Sequence, residues 1–417
     1  MLLYIYTLLL YLTLPFILLR LYWKGRFLPA YRSRIHERFA LNSISSVDVW
    51  LHAVSLGEVV AATPLIDALL AKEYRVLVTT MTPTGSQQVI SRFGEKVTHQ
   101  YIPYDLPWVL RQFFKKLNAR VGIIMETEIW PNLICQASIA KLSLVLVNAR
   151  ISDKAFRYYQ RVGFFFKPIL ANFKAILTQS EQDTMRFRAL GAPAERVHAL
   201  GNIKFDLNIT VPNEKQFQAF KNSWGQQRPV LIAASTHDDE ENQLLNALSR
   251  LKDAIPDFIL LIAPRHPERF KTVYDLCQHH GLKTGLRSQP STINLETDVL
   301  VVDSLGELLG FYQVSDYAFV GGSLVPVGGH NVLEPIAMQV PVFCGPFMQN
   351  SKTICADLLS VGAIQLLNDV DELINAIIKM HHDALRRRHQ VASATELLVA
   401  HRGVVGRYID EVMRYSK

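Results

Sequence analysis

Residues 49–70 read "VWLHAVSLGEVVAATPLIDALL". An apolar run of strand length ends in a Ser-Leu-Gly turn, and an amphipathic helical stretch then opens on a carboxylate, Glu58. The same order of strand, turn and helix recurs downstream. "RVLVTT", "VGIIMET", "LVLVNAR" and "AILTQS" follow at intervals long enough for crossover helices, which is the pattern of a parallel α/β sheet. Near residue 206 the rhythm breaks at the polar "DLNITVPNEKQ" and resumes with "PVLIAAS", "FILLIAP", "VLVVD", "YAFVGG" and "VPVFCGP". That interruption is the expected linker, and no internal repeat points to a solenoid.

The length agrees with this division. At 417 residues the chain exceeds the roughly 100–200 residues of one ordinary core. About half the residues are hydrophobic, so nearly all of the chain is able to fold. Cys135, Cys277, Cys344 and Cys355 have no C-x-x-C spacing, which argues against a zinc site or a disulfide framework and for a reducing, cytoplasmic setting.

The net charge of +7 fits nucleic acid, a membrane surface or an anionic substrate, and its placement decides among them. The opening "MLLYIYTLLLYLTLPFILL" has no charged side chain and would span about 29 Å as a helix, close to a bilayer's hydrocarbon thickness. Tyr22, Trp23 and the cations Arg20, Lys24, Arg26, Arg32, Arg34 and Arg38 follow at once. This order predicts an N-terminal anchor with the rest of the chain on the cytoplasmic side. A cleaved signal peptide would need cations before the apolar stretch and a small-residue cleavage site after it, and both are missing. Pro15 leaves open a helix that lies in the interface without crossing. The basic cluster lies where anionic lipid accounts for it, which argues against a nucleic-acid-binding protein. The segment is read as a tether that supplies effective concentration without touching the chemistry.

In open α/β sheets the chemistry lies outside the carboxyl ends of strands. Glu58 sits there, at a helix start. It serves either as a first-turn carboxylate complementing the helix dipole or as a general base, and a base needs partial desolvation or neighbouring carboxylates to offset the dipole's acidifying effect. "METEIWPN" places Glu126 and Glu128 at a strand end, which is costly unless each finds a cation or a donor. "GNIKFD" supplies Lys204, and "APRHPERF" supplies Arg265, whose guanidinium suits a phosphate or carboxylate. His266 is read there as a structural hydrogen-bonder and Arg269 as a surface charge. In "FVGGSLVPVGGHNVLEP" two glycine pairs precede a helix start near Asn331 that carries Glu334. Glycines admit a ligand to the backbone, and helix N–H groups favour an anion.

Taken together, "HAVSLGE", "ETEIWPN", "GNIKFD", "APRHPER", "DSLGEL" and "GGHNVLEP" resemble, in order and across almost the whole chain, the motifs of the Kdo transferases of lipopolysaccharide biosynthesis. The resemblance implies a GT-B glycosyltransferase. Its parts would be a membrane anchor (1–22), a Rossmann-like acceptor domain (23–208) and a Rossmann-like donor domain with closing C-terminal helices (209–417), the two domains facing a cleft. It implies inverting, metal-independent transfer of 3-deoxy-D-manno-octulosonic acid (Kdo) from CMP-Kdo to the lipid A precursor, lipid IVA, at the inner membrane, without a cofactor. Glu58 then matches the proton acceptor, and Glu128 and Lys204 match positions that assist the transition state. CMP contacts fall on Pro264 and Arg265, on Leu305, Gly306 and Glu307, and on Asn331, Val332, Leu333 and Glu334. Leu305 stands where the family often has Met, and Val332 where it often has Pro; a backbone contact survives either change. The implied partners are CMP-Kdo, the lipid A precursor and membrane lipid, not nucleic acid. A related GT-B transferase using a UDP-sugar is the alternative reading.

Overall fold

The computed structural model describes residues 2–27, 29–206 and 214–416. The chain forms two compact units: Met1–Asp206 with His401–Lys417, and Leu207–Ala400. The expected domain boundary at 208/209 lies outside the described residues.

The first unit is built on a parallel seven-stranded sheet of β1 (Val49–His52), β2 (Val76–Thr80), β3 (Thr98–Tyr101), β4 (Val121–Met125), β5 (Ser143–Ala149), β6 (Ala175–Thr178) and β7 (Val197–Ala199). The spatial order is β3-β2-β1-β4-β5-β6-β7. All four residues of β1 are buried, as expected of a central parallel strand covered on both faces. Helix α1 (Leu2–Phe27) precedes the sheet, and α2 (Leu56–Ala71) follows β1, burying Val59, Ala62, Leu65, Ile66 and Leu69 as one stripe. The order reverses between β1 and β4, so the carboxyl ends of those two strands define the unit's switch point.

The second unit repeats the plan. Its parallel sheet holds β8 (Val230–Thr236), β9 (Ile259–Pro264), β10 (Thr284–Leu286), β11 (Val299–Val301), β12 (Tyr317–Val320), β13 (Val342–Cys344) and β14 (Ile364–Leu366) in the order β10-β11-β9-β8-β12-β13-β14. Its switch point lies between β8 and β12.

Three sequence expectations change here. The closing helices do not all belong with the second sheet, because the helix Val404–Met413 returns to the first unit. Its Val404, Tyr408, Ile409 and Val412 enter the α2 side of the first core. The Asp206 carboxylate accepts from Gly403 N at 2.9 Å and Val405 N at 2.7 Å, which satisfies the start of this helix.

The basic collar is also smaller than the sequence indicated. Arg34 is paired with Glu37 at 2.7 Å, and Arg38 is buried, donating to Met81 O at 3.0 Å and lying over the Tyr101 ring. Arg20, Lys24 and Arg26 remain at the end of α1.

Finally, α1 is one helix through Pro15, long and apolar enough over Leu2–Arg26 to cross a membrane. It is not a detached tether. Leu10, Leu14, Ile17 and Leu18 pack against the first unit's core, while Leu8, Leu12, Phe16 and Leu19 stay exposed. Tyr6 Oη donates to Asp105 Oδ2 at 2.8 Å, and Thr7 Oγ1 bonds Asn132 Oδ1 at 3.0 Å.

Candidate active site

Glu58 lies on the first turn of α2, just past β1. Val54 N donates to its Oε2 at 2.7 Å and Ser55 Oγ to its Oε1 at 3.2 Å. These bonds favour the ionised form. Removal from water and then the nearby Glu128 charge outweigh them, and the carboxyl is pushed up to about 8. Burial with like-charge coupling thus overcomes the dipole that would keep this group acidic.

The end of β4 supplies the other acids. Glu126 is buried with a left-handed backbone (φ 52°), a conformation costing roughly 1–2 kcal/mol for a residue with a Cβ. Its carboxylate is held by Arg150 Nε at 3.0 Å and Lys204 Nζ at 2.9 Å. Glu128 Oε2 accepts from the indole of Trp130 at 2.7 Å, and burial raises its pKa above the usual carboxylate range. Each acid of the pair therefore has the partner that burial demands, but Lys204 pairs with Glu126 rather than Glu128. Lys204 is delivered by the turn Ile203–Phe205. Asn148 Oδ1 accepts from Ile203 N at 3.1 Å and Asn202 Oδ1 from Lys204 N at 3.1 Å.

Behind these groups the helix Pro131–Ile139 is capped by Asp105, whose carboxylate accepts from Asn132 N at 3.2 Å and Leu133 N at 2.6 Å. Through Tyr6, α1 touches the residue that caps the helix following the Glu128–Trp130 loop.

In the second unit, Pro264 ends β9 and Arg265 N continues its ladder to Thr236 O at 3.0 Å. The Arg265 guanidinium is exposed, and its charge acts on Glu334, His330 and His237. Asn331 Oδ1 accepts from Leu333 N and Asn331 Nδ2 donates to Glu334 Oε1, both at 3.0 Å. Val332 and Leu333 are buried. The helix that follows, Leu333–Ala337, has five residues, too short to supply the N-terminal dipole expected from sequence. Leu305 is exposed, Gly306 takes φ 79°, and Glu307 is tied to Arg287 at 2.7 Å and to Ser304. Among the described residues no hydrogen bond joins this turn to Asn331–Glu334.

Sequence reasoning missed Glu240. It is fully buried, and four backbone N–H groups, of His237, Gly322, Ser323 and Leu324, donate to it at 2.7–3.0 Å. Its signal was available: "STHDDEE" after β8 repeats the strand, turn and acid order of "LHAVSLGE" after β1. Gly321 is required by close approach, since a Cβ there would meet Ser235 O at 2.5 Å.

Two parallel seven-stranded sheets in succession, each with helices between its strands, are the architecture of the GT-B fold of glycosyltransferases. A glycosyltransferase structure from Rickettsia africae ESF-5 matches 89% of this chain and 100% of its own with a TM-score of 0.50 at 14% identity, which supports the fold. The family model "3-Deoxy-D-manno-octulosonic-acid transferase (kdotransferase)" matches residues 33–207. The 3-deoxy-D-manno-octulosonic acid transferase of Haemophilus influenzae is 36% identical over 93% of this chain and 92% of its own length. That of Bordetella pertussis is 33% identical over 87% and 86%. The chain belongs to the Kdo transferase family, a group of glycosyltransferases that transfer Kdo in lipopolysaccharide synthesis, and the resemblance read from its motifs is borne out.

Proposed function

We propose that this transferase moves Kdo from CMP-Kdo to a hydroxyl of the lipid A precursor, lipid IVA, with inversion and without a metal, at the cytoplasmic face of the inner membrane. The observation that carries the reading is Glu58, a carboxyl raised to about 8 beside a second carboxyl at the switch point of the first sheet. A sugar hydroxyl is a poor nucleophile near neutrality, and a base of this strength removes its proton as the new bond forms. The acceptor oxygen attacks the anomeric carbon of Kdo, the bond to the CMP phosphate oxygen breaks with its electron pair, and the proton passes to Glu58. One displacement inverts the centre and needs no covalent enzyme intermediate.

Lys204 and Arg150, held on Glu126, supply positive charge beside the two other acids, and this supports the assignment of Glu128 and Lys204 to the transition state. Arg265 is shaped to hold the donor's single phosphate, with Pro264, the Leu305–Glu307 turn and Asn331–Glu334 about the nucleotide. Among the described residues no three His, Cys, Asp or Glu side chains form a group able to hold a metal ion. The apolar α1, followed by Arg20, Lys24 and Arg26, supports anchoring at a membrane that holds the lipid acceptor.

Calorimetry with CMP and UDP tests the donor assignment. CMP is expected to bind and UDP to bind far more weakly; the reverse order would make this a UDP-sugar transferase.

A further inference from the structure

The glycine-rich turn after β12 has the composition of an anion cradle, yet the N–H groups of its glycines are already engaged. The N–H groups of Gly322, Ser323 and Leu324 point to Glu240, and those of Gly328 and Gly329 both donate to Gly322 O, at 3.1 and 2.8 Å. Imidazole side chains add donors at this rim. His237, just past β8, and His330, at the end of the glycine turn, have parallel rings that meet end to end, with centroids 5.0 Å apart and Nε2 atoms 2.8 Å apart. His266 meets His237 edge-on at 5.4 Å.

The surroundings are rich in positive charge. Arg265, Arg269, His266 and Glu240 face His237, and Arg265, His237 and His266 face His330. Glu240 is committed to four N–H bonds, and Arg269 is paired with Asp238 and Glu241. Arg265 forms no ion pair among the described residues. Two imidazole nitrogens facing each other at 2.8 Å share one proton between them. A second proton is held only when a counter-charge arrives.

The geometry points to an oxyanion site built from His237, His330 and Arg265, with His266 at its edge, that takes a phosphate or carboxylate of the glycosyl donor. This inference rests on the donor reading above, since a cytidine monophosphate sugar acid carries both groups. Binding then draws a proton onto the histidine pair. Burial and the neighbouring cations hold His330 down at about 4 and His237 below its usual value in the empty site, so affinity for the anion should rise as pH falls.

The test uses the full-length protein in detergent, with histidine rings labelled for NMR and inorganic phosphate as the first probe. Phosphate is expected to shift the His237 and His330 resonances and to raise the pH at which they titrate. His330→Gln and His237→Gln, each checked for an unchanged fold, should lose that response. Calorimetry with cytidine, CMP and CMP-Kdo then separates the sources. A loss of about tenfold in either variant for CMP but not cytidine assigns the phosphate, and a loss seen only with CMP-Kdo assigns the sugar carboxylate. Unmoved resonances together with unchanged CMP-Kdo affinity in both variants would overturn the site. A wild-type protein that responds to phosphate but binds no cytidine nucleotide would instead refute the donor reading alone.

Discussion

Replacing Glu58 by Gln keeps size and polarity but removes the base, and the structure predicts opposite effects on activity and stability. The folded carboxyl titrates at about 8 against 4.5 for a free one. Between those values the folded state holds a proton that the unfolded chain has released, so Glu58 lowers stability increasingly as pH rises through that window. At pH 7 the difference is about 2.5 pH units, or roughly 3 kcal/mol at 1.36 kcal/mol per unit, and near pH 4 it vanishes. Solvent screening at this half-buried site reduces the expected gain to about 1–2 kcal/mol. Gln still offers an oxygen to Val54 N–H, so little is lost in exchange. Thermal melts of Glu58→Gln should therefore rise by several degrees at pH 7–8, at about 2–4 °C per kcal/mol for a unit of this size, and coincide with wild type near pH 4. Transfer should fall at least a hundredfold, roughly the share of general base catalysis, with donor binding intact. A melting temperature that drops at pH 8, or an equal gain at both pH values, would refute the reasoning.

Arg265→Ala should weaken CMP-Kdo binding by about 1.5–3 kcal/mol with the fold intact, measured by calorimetry; unchanged affinity would show that Arg265 points elsewhere. Deleting residues 1–19 should lower turnover even with a detergent-dispersed acceptor while leaving donor affinity unchanged, because Tyr6 and Thr7 contact Asp105 and Asn132 at the helix behind the Glu128–Trp130 loop. Full turnover in detergent would restore the simple tether. Gly321→Ala should destabilise the second unit by about 1–3 kcal/mol in urea melts, since its Cβ would sit 2.5 Å from Ser235 O.

What the sequence disclosed and what it hid follow from one physical difference. The ten strands legible as apolar runs are the interior strands of the two sheets, buried on both faces. The four it did not disclose, β3, β7, β10 and β14, are the four edge strands. Edge strands are short and carry polar residues, as in "THQY", "VHA", "TGL" and "IQL", because one side has no partner to bury against.

The site divides in the same way. Glu58, Glu126 and Glu128 were legible because a carboxylate after an apolar strand stands out. The pairing of Lys204 with Glu126 was not, since it depends on Asn148 and Asn202 fixing a turn from a distance. Glycine pairs announced an anion site, but composition alone does not reveal that an internal carboxylate, Glu240, already fills the cradle. Nor does a basic stretch reveal which cations the fold consumes, as it does Arg34 and Arg38.

Transfer itself is tested most directly by incubating the wild-type protein and Glu58→Gln with CMP-Kdo and the lipid A precursor and weighing the lipid products, with the rate followed from pH 6 to 9. The wild type should add Kdo without added metal and in the presence of a chelator. Its rate at limiting substrate should rise about tenfold per pH unit toward pH 8 as Glu58 ionises, and level off above. Glu58→Gln should add almost none at any pH. Kdo addition by Glu58→Gln at near the wild-type rate, or a wild type that leaves CMP-Kdo untouched, would contradict the assignment.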